Sequence, residues 1–258
     1  YVAQGKRSRA AAEYLNALRI NPDDAPSHYN LGLTYTAQGK HADAIVHYQA
    51  ALRADPSFAD ASDHLGAEYA AIGEVDDAIA AFLEAQRIDP NHAGASYNLG
   101  VIYDDNSRYE EAMGAFDTAL RIDPDLARAH IGLGNIHYTQ GRAQQASLAY
   151  HAALRIDPDS VDANNNLGVV YATLRKADAA IEAYLNALRV RPDSASTHHN
   201  IACMYALKGD RVRAVASLGK AIALDPQYAQ QARTVPDFDS IRNTPEFQAL
   251  LAGPARND

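Results

Sequence analysis

The chain has 258 residues, 47% of them hydrophobic and 21% charged, and carries a net charge of −9 with a single cysteine, Cys203. An acidic balance argues against nucleic acid, where Lys and Arg must neutralise phosphates, and against anionic membrane surfaces. No apolar run approaches the roughly 20 residues of a membrane span, and one cysteine forms no intrachain disulfide.

Seven prolines stand 34 residues apart, from Pro22 through Pro56, Pro90, Pro124, Pro158 and Pro192 to Pro226. Two alanine series, beginning at Ala10 and Ala17, keep the same period. Strict self-similarity of this kind belongs to a stack of like units, each packed only on its neighbours. With Ala25 as position 1, residues 1–24 are the last two-thirds of a truncated repeat. Tyr1 then falls in mid-repeat, so the expectation is that residues upstream have been removed. A helix over about 8–20 would present Tyr14 and Leu18 without their usual partner, and self-association through residues 1–20 is expected.

Six full repeats follow over residues 25–228. In the first, His28, Leu31, Gly32 and Tyr35 form an i, i+3, i+4, i+7 stripe, and Ala44, Tyr48 and Ala51 form a second. Gly39, Gly73, Gly141 and Gly209 supply the left-handed residue between the two helices, while Ser107 and Arg175 replace it in two repeats, where a strained or differently shaped turn is expected. Each repeat therefore reads as two antiparallel helices, over about positions 2–14 and 18–31. Mid-helix Gly32, Gly66, Gly100, Gly134 and Gly168 suggest a neighbouring backbone in close approach, and the aromatics of positions 11 and 24 read as core. Beyond the repeats, the stretch from Val235 to Asp239, followed by Ile241, Pro245, Phe247, Leu250 and Leu251, predicts two capping helices within 229–251, at roughly 237–242 and 245–252. Residues 252–258 read as a disordered tail.

His28, Leu31, Gly32, Tyr35, Ala44, Tyr48 and Pro56 sit at the signature offsets of the tetratricopeptide repeat, which the chain resembles over nearly its whole length. Departures are His137 for tyrosine, Ala202 for glycine and Leu218 for an aromatic. The resemblance implies an all-α, right-handed superhelical solenoid of antiparallel helix pairs, with the first helices lining a concave groove. The segment from Asn200 to Leu251 resembles the closing segment of bacterial arrays.

Positions 2, 5, 6, 9, 12 and 13 point away from the buried stripe of the first helix. Position 6 holds Asn30, His64, Asn98, Gly132, Asn166 and Asn200. An asparagine amide both donates and accepts, so a ladder of them pairs with a peptide backbone regardless of side chains. The alternative is that asparagine is merely tolerated on an exposed face. The ladder resembles that in the repeat arm of O-linked N-acetylglucosamine transferases, which grips extended polypeptide. Tyr29, Tyr97 and Tyr138 lie beside it, available for stacking. Asp60, Asp63, Asp104, Asp105 and Asp162 face the same way against Arg128 alone, so neutral or basic peptides are favoured.

No dinucleotide or phosphate fingerprint and no nucleophile elbow occurs, and no cofactor, metal or enzymatic activity is expected. His199 and Cys203, four apart, are a weak metal signal; His198-His199 reads instead as groove surface. The reading is an interaction scaffold that binds an extended peptide or a partner helix. The alternatives are the targeting arm of a larger enzyme, a glycosyltransferase or signalling enzyme with its catalytic domain outside this chain, and a self-assembling array. The expected location is cytoplasmic, with a periplasmic one left open.

Overall fold

The computed structural model describes residues 2–252, with side chains from Ala11 onward. Among the described residues every regular element is helical, and no strand occurs. Of the expected tail, Ala252 ends the last helix, and residues 253–258 lie outside the described residues.

Contacts divide the chain into two compact units, Tyr1–Ala129 and His130–Asp258. The first holds α1 (Val2–Ile20), α2 (Ala25–Thr36), α3 (His41–Ala54), α4 (Ala59–Ala71), α5 (Val75–Ile88), α6 (Ala93–Asp105) and α7 (Tyr109–Ile122). Helix α8 (Ala127–Thr139) carries the boundary. The second unit continues with α9 (Ala143–Ile156), α10 (Val161–Thr173), α11 (Ala177–Val190), α12 (Ala195–Leu207) and α13 (Arg211–Leu224). Within the first unit α2 packs on α3, α4 on α5 and α6 on α7, and successive pairs meet through α3 on α4 and α5 on α6. Within the second, α10 packs on α11 and α12 on α13, with α9 against α10 and α11 against α12. The helices start at positions 1 and 17, one residue ahead of the sequence expectation.

The turns between paired helices use the left-handed region, at φ 69° for Gly39 and between 75° and 84° for Gly73, Gly141 and Gly209. Ser107 and Arg175 are forced into the same conformation at φ 59°, which costs an L-residue about 1–2 kcal/mol. Glycine at either position removes that cost and returns part of it as unfolded-chain entropy. Ser107→Gly and Arg175→Gly are each expected to stabilise the protein by up to about 1 kcal/mol, read from urea unfolding. An unchanged or lowered midpoint would show that these turns are not strained.

The core is built on pairing between positions 8 and 24. A Cβ placed on Gly32, Gly66, Gly100 or Gly134 would lie 2.5–2.7 Å from the ring of Tyr48, Phe82, Phe116 or Tyr150 respectively, and Gly168 stands in the same relation to Tyr184. What approaches these glycines most closely is therefore an aromatic side chain of the same repeat, and the neighbouring backbone expected from sequence comes close at Gly66, where the Ala78 carbonyl would lie 3.1 Å from the added Cβ. Ala202 and Leu218 obey the rule in reverse: the smaller partner at position 24 leaves room for a methyl at position 8, and both are fully buried. The position-24 rings are core, but the position-11 tyrosines are only half-buried. Their ring faces carry cations, with Arg108 at 4.4 Å from Tyr103, Arg213 at 4.6 Å from Tyr205, and Lys40 at 5.5 Å from Tyr35.

At the amino-terminal end α1 runs unbroken through Gly5, where the period places a turn. Helix α1 packs on α2, leaving Tyr14 and Leu18 half-buried while Ile20 stays 88% exposed. At the other end a short α14 (Gln227–Gln231) precedes a 3-10 turn at Pro236–Phe238 and α15 (Pro245–Ala252). The expected helix over 237–242 is reduced to this turn. Arg242 reaches back to donate to the Val235 carbonyl at 2.7 Å, and Pro245 restarts the chain as a helix. Phe238, Ile241, Phe247 and Leu251 join Ala202, Met204 and Leu218 in one buried cluster.

Candidate functional site

In the first unit, the face of α2, α4 and α6 opposite the buried stripe carries most of the residues singled out from sequence. Asn30 donates from Nδ2 to the Pro26 carbonyl of its own helix at 2.9 Å. The Tyr29 ring lies 4.7 Å from Phe58 and meets the edge of His64 at 5.4 Å. Burial, then Asp60 and Asp63, raise its phenol pKa. His64 donates from Nδ1 to the Asp60 carbonyl at 2.8 Å.

Two carboxylates on this face are clasped between repeats. Asp60 Oδ1 accepts from His92 Nε2 at 3.0 Å. The His92 tautomer is set by its Nδ1, which accepts the Ala95 N–H at 2.9 Å and so caps α6. Asp63 is 9% exposed, and its Oδ1 accepts from Asn98 Nδ2 at 2.9 Å. Tyr97 is covered on one face by the Arg128 guanidinium at 4.3 Å. Asp104 is shifted up by burial and then by Asp105 beside it, so a cation bound there would relieve a repulsion.

In the second unit the ladder residues engage the tyrosines of position 24. Asn135 is the hub, accepting from Tyr150 Oη at 2.7 Å and from Asn166 Nδ2 at 3.0 Å. Asn200 lies beside Tyr184 and lowers its phenol pKa against the rise that burial causes. Burial raises the pKa of both tyrosines. Tyr138 stays partly exposed, its hydroxyl 3.2 Å from Thr173 Oγ1. Asn135, Tyr138, Thr139, Tyr150, Asn166 and Val169 together line a cleft of about 210 Å³. Gly132, at position 6, is buried and adds no polar group.

The sequence reading missed Asn135, because attention fell on position 6 and not on position 9 one turn later. It also missed His92, whose signal was its place just ahead of a helix start. Glu68 was missed as well: its side chain is 4% exposed and accepts from Thr36 Oγ1 at 2.5 Å and from His41 Nδ1 at 2.7 Å. Position 10 is apolar in the four repeats that follow (Ile102, Ile136, Val170, Met204), and that contrast was the available signal.

Among the described residues no group of three or more His, Cys, Asp or Glu side chains is arranged to hold a metal ion. His199 lies 3.9 Å from Cys203 Sγ but packs on Tyr228 and Phe238 at 4.9 and 5.7 Å, so it is cluster packing and not groove surface. Burial pushes the Cys203 thiol up, with Asp237 acting the same way, and pushes His199 down. That leaves the thiol protonated and unreactive. No helix among the described residues is long and apolar enough to cross a membrane.

Tetratricopeptide repeat models match residues 25–58, 65–127, 105–150, 161–194 and 195–228, and a TPR repeat model matches 1–39 and 134–174. The chain belongs to the tetratricopeptide repeat family. Among curated proteins it has no match. Solved structures share its fold. One is that of PilF from Pseudomonas aeruginosa, at 22% identity and TM-score 0.70 over 88% of this chain and 97% of that one. A second is from the Cut9–Hcn1 hetero-tetramer of the APC/C, at 21% identity and TM-score 0.68, where 96% of this chain spans 46% of the other. A third is YrrB, described as a TPR protein with an unusual peptide-binding site, at 23% identity and TM-score 0.61 over 73% and 98% of the two chains.

Proposed function

We propose that the chain is a protein-interaction module that binds an extended peptide along the inward faces of its first helices. The observation that carries this reading is the 210 Å³ cleft of the second unit, where Asn135, Asn166 and Tyr138 bring amide and hydroxyl groups to a surface opening. Each asparagine amide has two donors and an acceptor oxygen with two lone pairs, so the bonds it makes within the protein leave capacity for a peptide backbone. Asn30, His64 and Asn98 would serve in the same way in the first unit, and Asn200 in the second. Tyr29 and Tyr97 would contribute ring edges. Asp104 and Asp105, with the accessible oxygen of Asp60 and the half-clasped Asp63, favour a neutral or basic ligand. YrrB lends support as a family member described with a peptide-binding site.

The test is a peptide-array screen followed by titration calorimetry. Asn166→Ala and Tyr138→Phe are each expected to weaken selected peptides about two- to twelvefold, the worth of one hydrogen bond at roughly 0.5–1.5 kcal/mol. Changing Asp104 and Asp105 together to asparagine is expected to weaken basic peptides and flatten their salt dependence. Equal affinity for parent and variants would remove the inward faces from consideration.

A further inference from the structure

The outer side of the second unit carries another cleft, which peptide binding on the inward face leaves unused. It measures about 320 Å³ and lies between α9 and α11, with α10 as its floor. Leu154, Pro158, Leu167 and Ala183 make it apolar. Of the polar side chains that also line it, His151, Asn164, Tyr171, Glu182 and Asn186, only Asn164 is buried, at 3% exposed. Both its amide hydrogens are committed, to the Pro158 carbonyl at 3.2 Å and the Ser160 carbonyl at 2.9 Å, so Oδ1 is left to accept. Glu182 adds an exposed carboxylate at the rim.

The first unit holds a cleft at the equivalent positions, with its carboxylate paired. There it measures about 440 Å³, between α5 and α7 over α6. Ser96 stands where the second unit has Asn164, and its hydroxyl accepts from Gln86 Nε2 at 2.7 Å while donating to the His92 carbonyl at 3.4 Å. The carboxylate on that cleft, Glu111, is gripped by Arg108 from one turn earlier. In the second unit the equivalent of Glu111 is Ala179, and Glu182 replaces Gly114. The two clefts are therefore built at equivalent positions, while among the described residues the carboxylate is held by a cation only in the first.

We propose that the cleft between α9 and α11 is a second interaction site, which receives an arginine side chain displayed by a protein partner. An aliphatic stem suits the walls of Leu154 and Leu167. The planar guanidinium, with five donors and a fixed positive charge, satisfies a carboxylate and an amide oxygen together. A lysine ammonium meets them only as a point charge. Lys176 stands 5.9 Å from the Tyr171 ring centroid, and the Tyr171 hydroxyl is tied to His151 at 2.7 Å. That end of the cleft repels a cation, so the head group belongs at Asn164 and Glu182.

The test uses the full chain, labelled with nitrogen-15, titrated with the tripeptide acetyl-Gly-Arg-Gly-amide and with its citrulline and lysine counterparts. The arginine peptide is expected to shift the amide signals of Asn164, Leu167, Glu182 and Asn186, with a Kd on the order of millimolar. Citrulline, which keeps the shape and loses the charge, is expected to shift none of them, and lysine to bind more weakly than arginine. Glu182→Gln, at an exposed position, should leave folding intact and weaken the arginine peptide about two- to fivefold, the worth of an exposed ion pair. Asn164→Ser, which copies the first unit, should weaken it as well. The proposal is overturned by silence at these four amides, by an equal response to citrulline, or by shifts confined to Asn135, Tyr138 and Asn166. That last outcome would leave the inward-face reading standing alone.

Discussion

Gly100→Ala is expected to destabilise the protein by about 2 kcal/mol, even though alanine is the better helix former by about 1 kcal/mol. The added methyl would lie 2.6 Å from Cδ1 and Cε1 of Phe116 and 3.0 Å from Cγ. That ring is 1% exposed and closed in by neighbours, so it cannot swing aside as a surface side chain would. Overpacking therefore outweighs helix propensity. The partner variant comes from the last repeat, where alanine faces leucine at the same two positions. Gly100→Ala combined with Phe116→Leu is expected to be more stable than Gly100→Ala alone. Urea unfolding of the three proteins measures this, and hydrogen exchange in α6 and α7 should register the loss first, since each repeat contacts only its neighbours. A single variant as stable as the parent would mean that the ring has room to move.

The second large effect is at Glu68. Its carboxylate is held by His41 and by Thr36, whose hydroxyl in turn accepts from Tyr48 Oη at 3.1 Å. Burial pushes the Tyr48 phenol up to about 12, so it remains a donor throughout the physiological range. His41→Ala leaves the carboxylate buried with one partner fewer and is expected to cost about 1–3 kcal/mol. Adding Glu68→Leu removes the charge and restores the apolar character that position 10 has in the four later repeats. The double variant should recover the parent's stability or exceed it, because a buried carboxylate is costly to strip of a donor and cheap to replace by apolar packing. Thermal unfolding of parent, single and double variants decides the matter. A harmless His41→Ala would show that the pair contributes nothing.

Similar reasoning changes what Asn98 is expected to do. As an exposed ladder residue, its replacement by alanine should leave folding untouched. With Asp63 9% exposed and bonded to Asn98 Nδ2, the same change strips a buried carboxylate of a donor. Stability and binding are then entangled at Asn98, which is why Asn166 and Tyr138 are the cleaner probes of the inward face.

The helix pairs were legible because their signals are local and repeated. Gly39 and its counterparts, the proline at position 32, and the stripes at positions 4, 7, 8 and 11 each act within one turn or one helix, and six copies average out the exceptions. Even the strain at Ser107 and Arg175 could be read, since a φ of 59° is what a missing turn glycine forces on its substitute. The positions turned away from the buried stripe followed from helical periodicity alone. The candidate site's chemistry did not, because the hydrogen bonds that link its repeats join residues some 31 to 35 apart, as in Asn166 with Asn135 and Asn98 with Asp63.

By itself, then, the amino-acid order determined the repeat length, the helix pairs, the turn residues and the faces that each helix buries. Only the tertiary structure decided that position 8 is small to admit the ring of position 24, and that Ala202 and Leu218 are a matched exception to that rule. It alone placed Glu68 and Asp63 in buried clasps, gave the ladder amides partners within the protein, and, among the described residues, set an unpaired carboxylate on one outer cleft and a paired one on the other. The physical reason is one of range. Backbone preference and amphipathic period act over a few residues and are written into every copy, whereas a buried polar group is satisfied by a partner one repeat away, which becomes visible only when the stack is formed.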